Sequence, residues 1–339
     1  MTNSLDLTDA SSQTAPRAGV APRWLLNVFR ANLVAQIGIV VTGGLVRLTG
    51  SGLGCPTWPE CVDGSLVPTS RQEESWHKMI EFGNRLLTFV LAALAIAAIV
   101  GAVAWARKVR KSGAQPRRPI TLLAAIPLAG TVVQAVLGGI TVLTGLHPAI
   151  VAGHFLLSIV LIGACVVLVD RAQCPADRPV QYGVRAEVRW LANALVGVAA
   201  VVIVLGTIVT GSGPNSGDAD VTHRFGFDQR LVAWLHADAV LLFVGLIIGM
   251  LLLVRVLGAN ATVQRAGWIL FGVVAVNGLV GYLQLFAGLP WAFVATHMLL
   301  ACLVWVATLR LRLAMTNRGN RRQWADKYEP VSVAAARRE

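Results

Sequence analysis

Apolar residues run along this chain in windows of about twenty, the length a helix needs to cross a hydrocarbon layer roughly 30 Å thick. Eight windows are legible, at residues 26–47, 83–106, 119–144, 149–170, 189–210, 231–254, 267–287 and 291–311. The pattern predicts an all-α polytopic membrane protein with eight transmembrane helices. Pro119, Pro148 and Pro290 fall at window ends, and only Pro127 falls inside one. Broken spans with mid-membrane Gly or Pro, expected of a transporter built on a duplicated bundle, are otherwise missing.

The windows fall into two similar halves. VTGGLVRLTGSG (41–52) closes span 1 and IVLGTIVTGSG (203–213) closes span 5. QAVLGGITVLTGLHPAIVAGH (134–154) aligns without a gap on NGLVGYLQLFAGLPWAFVATH (277–297). Gly138 then pairs with Gly281, Gly145 with Gly288, Leu146 with Leu289, His154 with His297, and the amide of Gln134 with that of Asn277. Four spans per half make the duplication parallel, which predicts two tandem-duplicated four-helix bundles side by side, each able to build a site between facing helices. The expected divisions are a disordered tail over 1–23, an N-terminal bundle over 24–170, a linker over 171–188 containing Pro175 and Pro179, a C-terminal bundle over 189–312 and a tail over 313–339. The repeated small residues suit close helix packing in lipid.

Composition agrees with a bilayer solvent: 55% of the 339 residues are hydrophobic and 14% charged, against about 25% charged in soluble domains. The net charge of +12 raises the question of nucleic acid, and its distribution decides against it. Of the 29 Lys and Arg residues, 23 lie on the side of the N-terminus. Arg47, Arg71, Lys78, Arg85, Arg224 and Arg230 are alone on the other. That asymmetry is the positive-inside pattern. It predicts a multi-pass protein of the cell membrane with both termini cytoplasmic, whose partner is the lipid bilayer and not nucleic acid. Residues 1–22 lack the apolar core of a signal peptide and read as a polar tail.

Six histidines occur. His147 and His223 fall in outer connections, whereas His154, His236 and His297 fall inside apolar spans. Each of these three follows the outer start of its helix by about six residues, roughly 9 Å along the axis. Imidazoles at one depth on duplicated scaffolds suggest a plane of ligands. His236 and His297, on the sixth and eighth spans, match the way bundles hold a low-spin haem between two imidazoles; zinc would want further N, S or carboxylate donors. In the first half, the position equivalent to His236 is Asn84, a poor iron ligand. The first site therefore reads as incomplete, with His154 alone, and His77 stands about 10 Å too high on the same helix face to complete it.

Glu81 and Arg85 are four residues apart on span 2 and share a face. They read either as an ion pair or as site residues, because charge within a membrane is expensive. Glu81 stands close to Asn84, where a carboxylate could relay protons or orient a substrate group. Arg47, Arg85, Arg224 and Arg230 are candidate partners for haem propionates. Cys55 and Cys61, in the outer loop GLGCPTWPECVDG, could close a disulfide on the exported side, as a structural staple or as a redox-active pair. Cys165 and Cys302 read as packing residues, and Cys174 as a reduced cytoplasmic thiol.

These residues together resemble haem A synthase over about residues 24–312. The family's E-x-x-H-R motif reads here Glu81-Phe-Gly-Asn84-Arg85, and its remaining histidines fall on His154, His236 and His297. The resemblance implies haem b held by His236 and His297. It implies haem O as the substrate of the first half, its C8 methyl oxidised through a hydroxymethyl to the formyl of haem A. Glu81 and His154 would be catalytic, Asn84 and Arg85 would lie at the substrate haem, and Cys55 with Cys61 would be the outer disulfide pair. The farnesyltransferase that makes haem O is the implied partner, and the reading leaves room for a homo-oligomer. Two departures stand out: Asn84 occupies a histidine position, and the loop GSGPNSGDADVTHRFGFD lacks the second cysteine pair of some members. The competing reading is a quinone-linked electron-transfer cytochrome b, which would need neither an incomplete site nor a cysteine loop.

Overall fold

A computed structural model describes residues 20–69, 76–113, 118–174, 181–214, 217 and 223–317. The N-terminal tail through residue 19, linker Pro175 and Pro179, Arg71 and the tail from residue 318 lie outside the described residues. Eight helices follow the apolar windows: α1 (Arg23–Leu48), α2 (His77–Lys111), α3 (Arg118–Leu143), α4 (Pro148–Ala172), α5 (Ala186–Ser212), α6 (Gln229–Val256), α7 (Ala261–Phe286) and α8 (Trp291–Ala314). All eight are long and apolar enough to span a membrane. The protein is an all-α multi-pass membrane protein. Strands β1 (Gln181–Tyr182) and β2 (Thr316–Asn317) pair antiparallel. Helix α2 starts at His77, six residues before its apolar window, so its first turns stand in the interfacial region with the polar residues that matter below. Pro127 does not break α3.

Helices α1 to α4 touch in a closed ring, α1–α2, α2–α3, α3–α4 and α1–α4, and α5 to α8 repeat that ring. The rings meet through α1, α4, α5 and α8. Each ring is filled at the end where the chain enters and leaves. In the first, Leu25, Phe29, Ala98, Ala102, Ile120, Ala124 and Leu168 are nearly sealed from solvent. In the second, Leu195, Phe243, Ile247, Met250, Leu270 and Leu311 do the same. Val40, Ile159, Ile162, Ile203 and Cys302 seal the seam between the rings. The Trp305 indole donates across that seam to the Ile159 carbonyl at 3.0 Å. None of these apolar clusters contains a mid-span histidine, so those lie toward the opposite end of each ring.

The depth of two histidines is set by a duplicated turn. Helix α3 ends with Gly145 and Leu146 both left-handed, at φ 60° and 58°, and α7 ends with Gly288 and Leu289 at φ 78° and 61°. In each turn the leucine N–H returns to a carbonyl five residues back, Thr141 at 2.9 Å and Gln284 at 2.7 Å, satisfying helix-end acceptors. His154 and His297 each follow that leucine by eight residues. A left-handed leucine costs about 1–2 kcal/mol, and the two turns offset it differently. Leu146 is 8% exposed and is wedged where a side chain at Gly52 would collide with it, whereas Leu289 is only partly covered. Leu146→Gly is expected to destabilise by about 2–4 kcal/mol through lost packing. Leu289→Gly, which relieves strain and loses less contact, should stay within about 1 kcal/mol of the parent. Thermal unfolding in detergent checks the difference, and equal losses would refute the unequal packing.

Candidate functional site

In the first ring the site begins at the loop between α1 and α2. Cys55 and Cys61 form a disulfide, S–S 2.04 Å, and both are fully buried. The loop is tied to α2 by two side chains. Glu81, 5% exposed, accepts the Cys55 backbone N–H at 2.7 Å through Oε2. Through Oε1 it pairs with Arg85, whose Nη2 lies 2.7 Å away and Nε 3.1 Å. The Arg85 guanidinium also donates to three loop carbonyls, those of Cys55 at 2.7 Å, Thr57 at 3.1 Å and Glu60 at 3.1 Å. A guanidinium has five N–H donors, and this loop with Glu81 engages most of them. Arg85 and Glu81 thus act as one clamp on the disulfide loop. The clamp holds Trp58 against α3, where a side chain at Gly139 would collide with the indole. His77, the first residue of α2, bonds Ser51 Oγ through Nδ1 at 2.8 Å.

Deeper in both rings four equivalent positions carry Asn84, His154, His236 and His297. Asn84 and His236 each stand seven residues past the first residue of their helix, and His154 and His297 each six. Every one of the four faces a glycine on a neighbouring helix. A Cβ at Gly206 would lie 3.3 Å from the His236 ring, at Gly281 3.3 Å from His297, at Gly138 3.5 Å from His154 and at Gly43 3.7 Å from the Asn84 amide. At Gly206 and Gly281 an added Cβ would crowd the imidazole, whereas at Gly138 and Gly43 it would make ordinary contact.

The second-ring histidines share one arrangement. His236 Nδ1 lies 3.1 Å from the Val202 carbonyl and His297 Nδ1 3.2 Å from the Asn277 carbonyl. Each carbonyl belongs to the residue four before the facing glycine. A carbonyl oxygen only accepts, so Nδ1 carries the proton and Nε2 keeps its lone pair. A backbone acceptor behind an imidazole is the support that metal-ligating histidines receive, fixing tautomer and ring plane. Among the described residues no group of three or more His, Cys, Asp or Glu gathers as a metal site. In the first ring His154 differs: among the described residues its buried Nδ1 has no hydrogen-bond partner, while Gln134 holds its backbone carbonyl at 3.1 Å. His154 therefore lacks the main-chain support that fixes the tautomer of His236 and His297.

The structure therefore brings Glu81, Arg85, Cys55 and Cys61 into one cluster and sets His236 and His297 within one ring of helices. Asn84 bonds Thr42 on α1. The sequence reading missed Gly43 and Gly206 as the glycines facing Asn84 and His236, the backing carbonyls, Thr42 and Trp58. Loosening the clamp is expected to expose the buried disulfide. Arg85→Met should lower stability by about 3–5 kcal/mol, because it strands the buried Glu81 carboxylate. It should also raise the rate of reduction of Cys55–Cys61 by an added phosphine at least about tenfold through local opening. Reduction at the parental rate would show that the clamp does not protect the loop.

The family profile described as cytochrome oxidase assembly protein, COX15-CtaA, matches residues 23–309. Proteins named Heme A synthase are similar over part of the chain. That of Lysinibacillus sphaericus is 34% identical over 139 residues, 41% of each chain. That of Alkalihalophilus pseudofirmus is 30% identical over 141 residues, 40% of this chain and 43% of the relative. That of Listeria monocytogenes is 31% identical over 145 residues, 42% and 44%. The matched stretch spans under half the length of these curated relatives.

Proposed function

This chain belongs to the COX15-CtaA family of cytochrome oxidase assembly proteins, and from that membership we propose that it converts haem O to haem A. The observation that carries the reading is the pair of imidazoles, His236 and His297, each with Nδ1 on a main-chain carbonyl, Nε2 left as donor and a glycine clearing its ring. They would hold haem b, which supplies one-electron exchange when bound. The first ring would take the substrate haem O, with His154, the counterpart of His297 at the same helix position, as the imidazole that would bind it.

The chain's own residues then divide the work. Glu81 holds the disulfide loop through the Cys55 N–H and stands one helical turn from Asn84, where its carboxylate would take up or pass a proton at the substrate. Its pairing with Arg85 fixes where the carboxylate points. Arg85 serves the site chiefly through the loop it fixes, and Trp58 on that loop covers the outer side of α3. The excess of Arg and Lys on the side of the termini supports cytoplasmic termini and a cell-membrane location. The disulfide then stands on the exported side, where it persists. The enzyme that farnesylates haem is the expected supplier of substrate.

Replacing His236 or His297 with Ala is expected to abolish the low-spin haem spectrum of the purified protein. Glu81→Ala should keep that spectrum and reduce haem A formation by at least about a hundredfold, as loss of a general acid–base group does. Chromatography of haems extracted after expression with and without haem O reads both outcomes. A protein that returns only unmodified haem from cells supplying haem O is an electron-transfer cytochrome and not this enzyme.

A further inference from the structure

The position equivalent to His236 in the first ring is not simply a lost ligand. The second ring has His236 Nδ1 on the Val202 carbonyl, with Leu205 and Gly206 following on α5. The first ring has Ile39 in place of Val202, Thr42 in place of Leu205 and Gly43 in place of Gly206. The Thr42 hydroxyl lies 3.3 Å from the Ile39 carbonyl and 2.8 Å from Asn84 Oδ1. The hydroxyl that accompanies Asn84 therefore covers the carbonyl that the imidazole would have used. Thr42 has one proton to give, and the shorter contact directs it to Oδ1. The Asn84 Nδ2 group then has no hydrogen bond to any described residue and stands 3.7 Å from where a Cβ at Gly43 would lie. An asparagine side chain is also shorter than an imidazole, so Asn84 reaches less far from α2 than His236 does from α6.

We propose that Asn84, oriented by Thr42, would offer its Nδ2 hydrogens to a diatomic molecule or small anion bound at the substrate haem, and does not itself bind the iron. The proposal rests on the reading of the first ring as the substrate-haem site. Asn84 is then a positioning donor, and the second ring, with His236 at the equivalent position, would leave no such place for an added ligand.

The test uses full-length protein purified from cells that make haem O, with carbon monoxide added to the reduced form and cyanide to the oxidised form. The parent protein is expected to contain a fraction that binds carbon monoxide beside a low-spin fraction that does not. Asn84→His should convert the reactive fraction to low spin and abolish carbon monoxide binding. Asn84→Leu should keep carbon monoxide binding but release cyanide about tenfold faster, the effect of one lost hydrogen bond. Thr42→Val should fall between the parent and Asn84→Leu. The unreactive low-spin signal serves as the folding control in every variant. A parent whose substrate haem is low-spin and inert to carbon monoxide overturns the proposal, as does cyanide release unchanged in Asn84→Leu. Failure of the underlying reading looks different: His154→Ala would then leave the number of bound haems and their reactivity as in the parent.

Discussion

The arrangement follows from one constraint, the cost of a polar side chain in hydrocarbon. Three imidazoles and a carboxamide lie in helices surrounded by apolar side chains, and each must find a partner or give up stability. In the second ring the partner of Nδ1 is a main-chain carbonyl, which leaves Nε2 for a ligand. In the first ring the side chains are satisfied less completely, with Asn84 sharing the Thr42 hydroxyl and His154 Nδ1 without a partner among the described residues. The two halves of a duplicated fold thus differ at the level of single hydrogen bonds while their helices, turns and facing glycines correspond.

The rest of the fold serves that placement. Apolar side chains fill each ring at the end of the termini and stop short of the histidines, so the open ends have polar groups without a packed core beneath the outer loops. The left-handed turns at Leu146 and Leu289 fix how deep His154 and His297 sit. The clamp of Glu81 and Arg85 ties the disulfide loop to the same helix that carries Asn84, so a change in the loop is felt at the site through α2. This couples the disulfide loop to Asn84 without any need for a moving helix.

Much of this was legible in the sequence because hydrocarbon simplifies the code. Eight apolar windows became eight helices, and the ungapped match of 134–154 on 277–297 foretold paired turns and paired histidines. Helix starts were less legible: α2 begins at His77, where polar interfacial residues hide its first turns from hydropathy. The glycines were read as lipid-packing residues, since a sequence does not say what a glycine faces, and Gly138, Gly206 and Gly281 face imidazole rings. Arg85 was a candidate for haem propionates, while its donors turn mainly to Glu81 and to loop carbonyls. Partners separated by a loop, such as Thr57 and Glu60, leave no trace in helical spacing. Thr42 was invisible for the same reason, since it matters only through Asn84 on the neighbouring helix.

The most direct test of the account is the low-spin haem content of the full-length protein carrying Gly206→Val or Gly281→Val. Both variants keep His236 and His297 and their backing carbonyls, but fill the clearing in which one ring sits. The account predicts that either substitution removes most of the low-spin haem while the protein still folds. A full complement of low-spin haem in both would contradict it, because the imidazoles would then not owe their ligating position to the glycines opposite them.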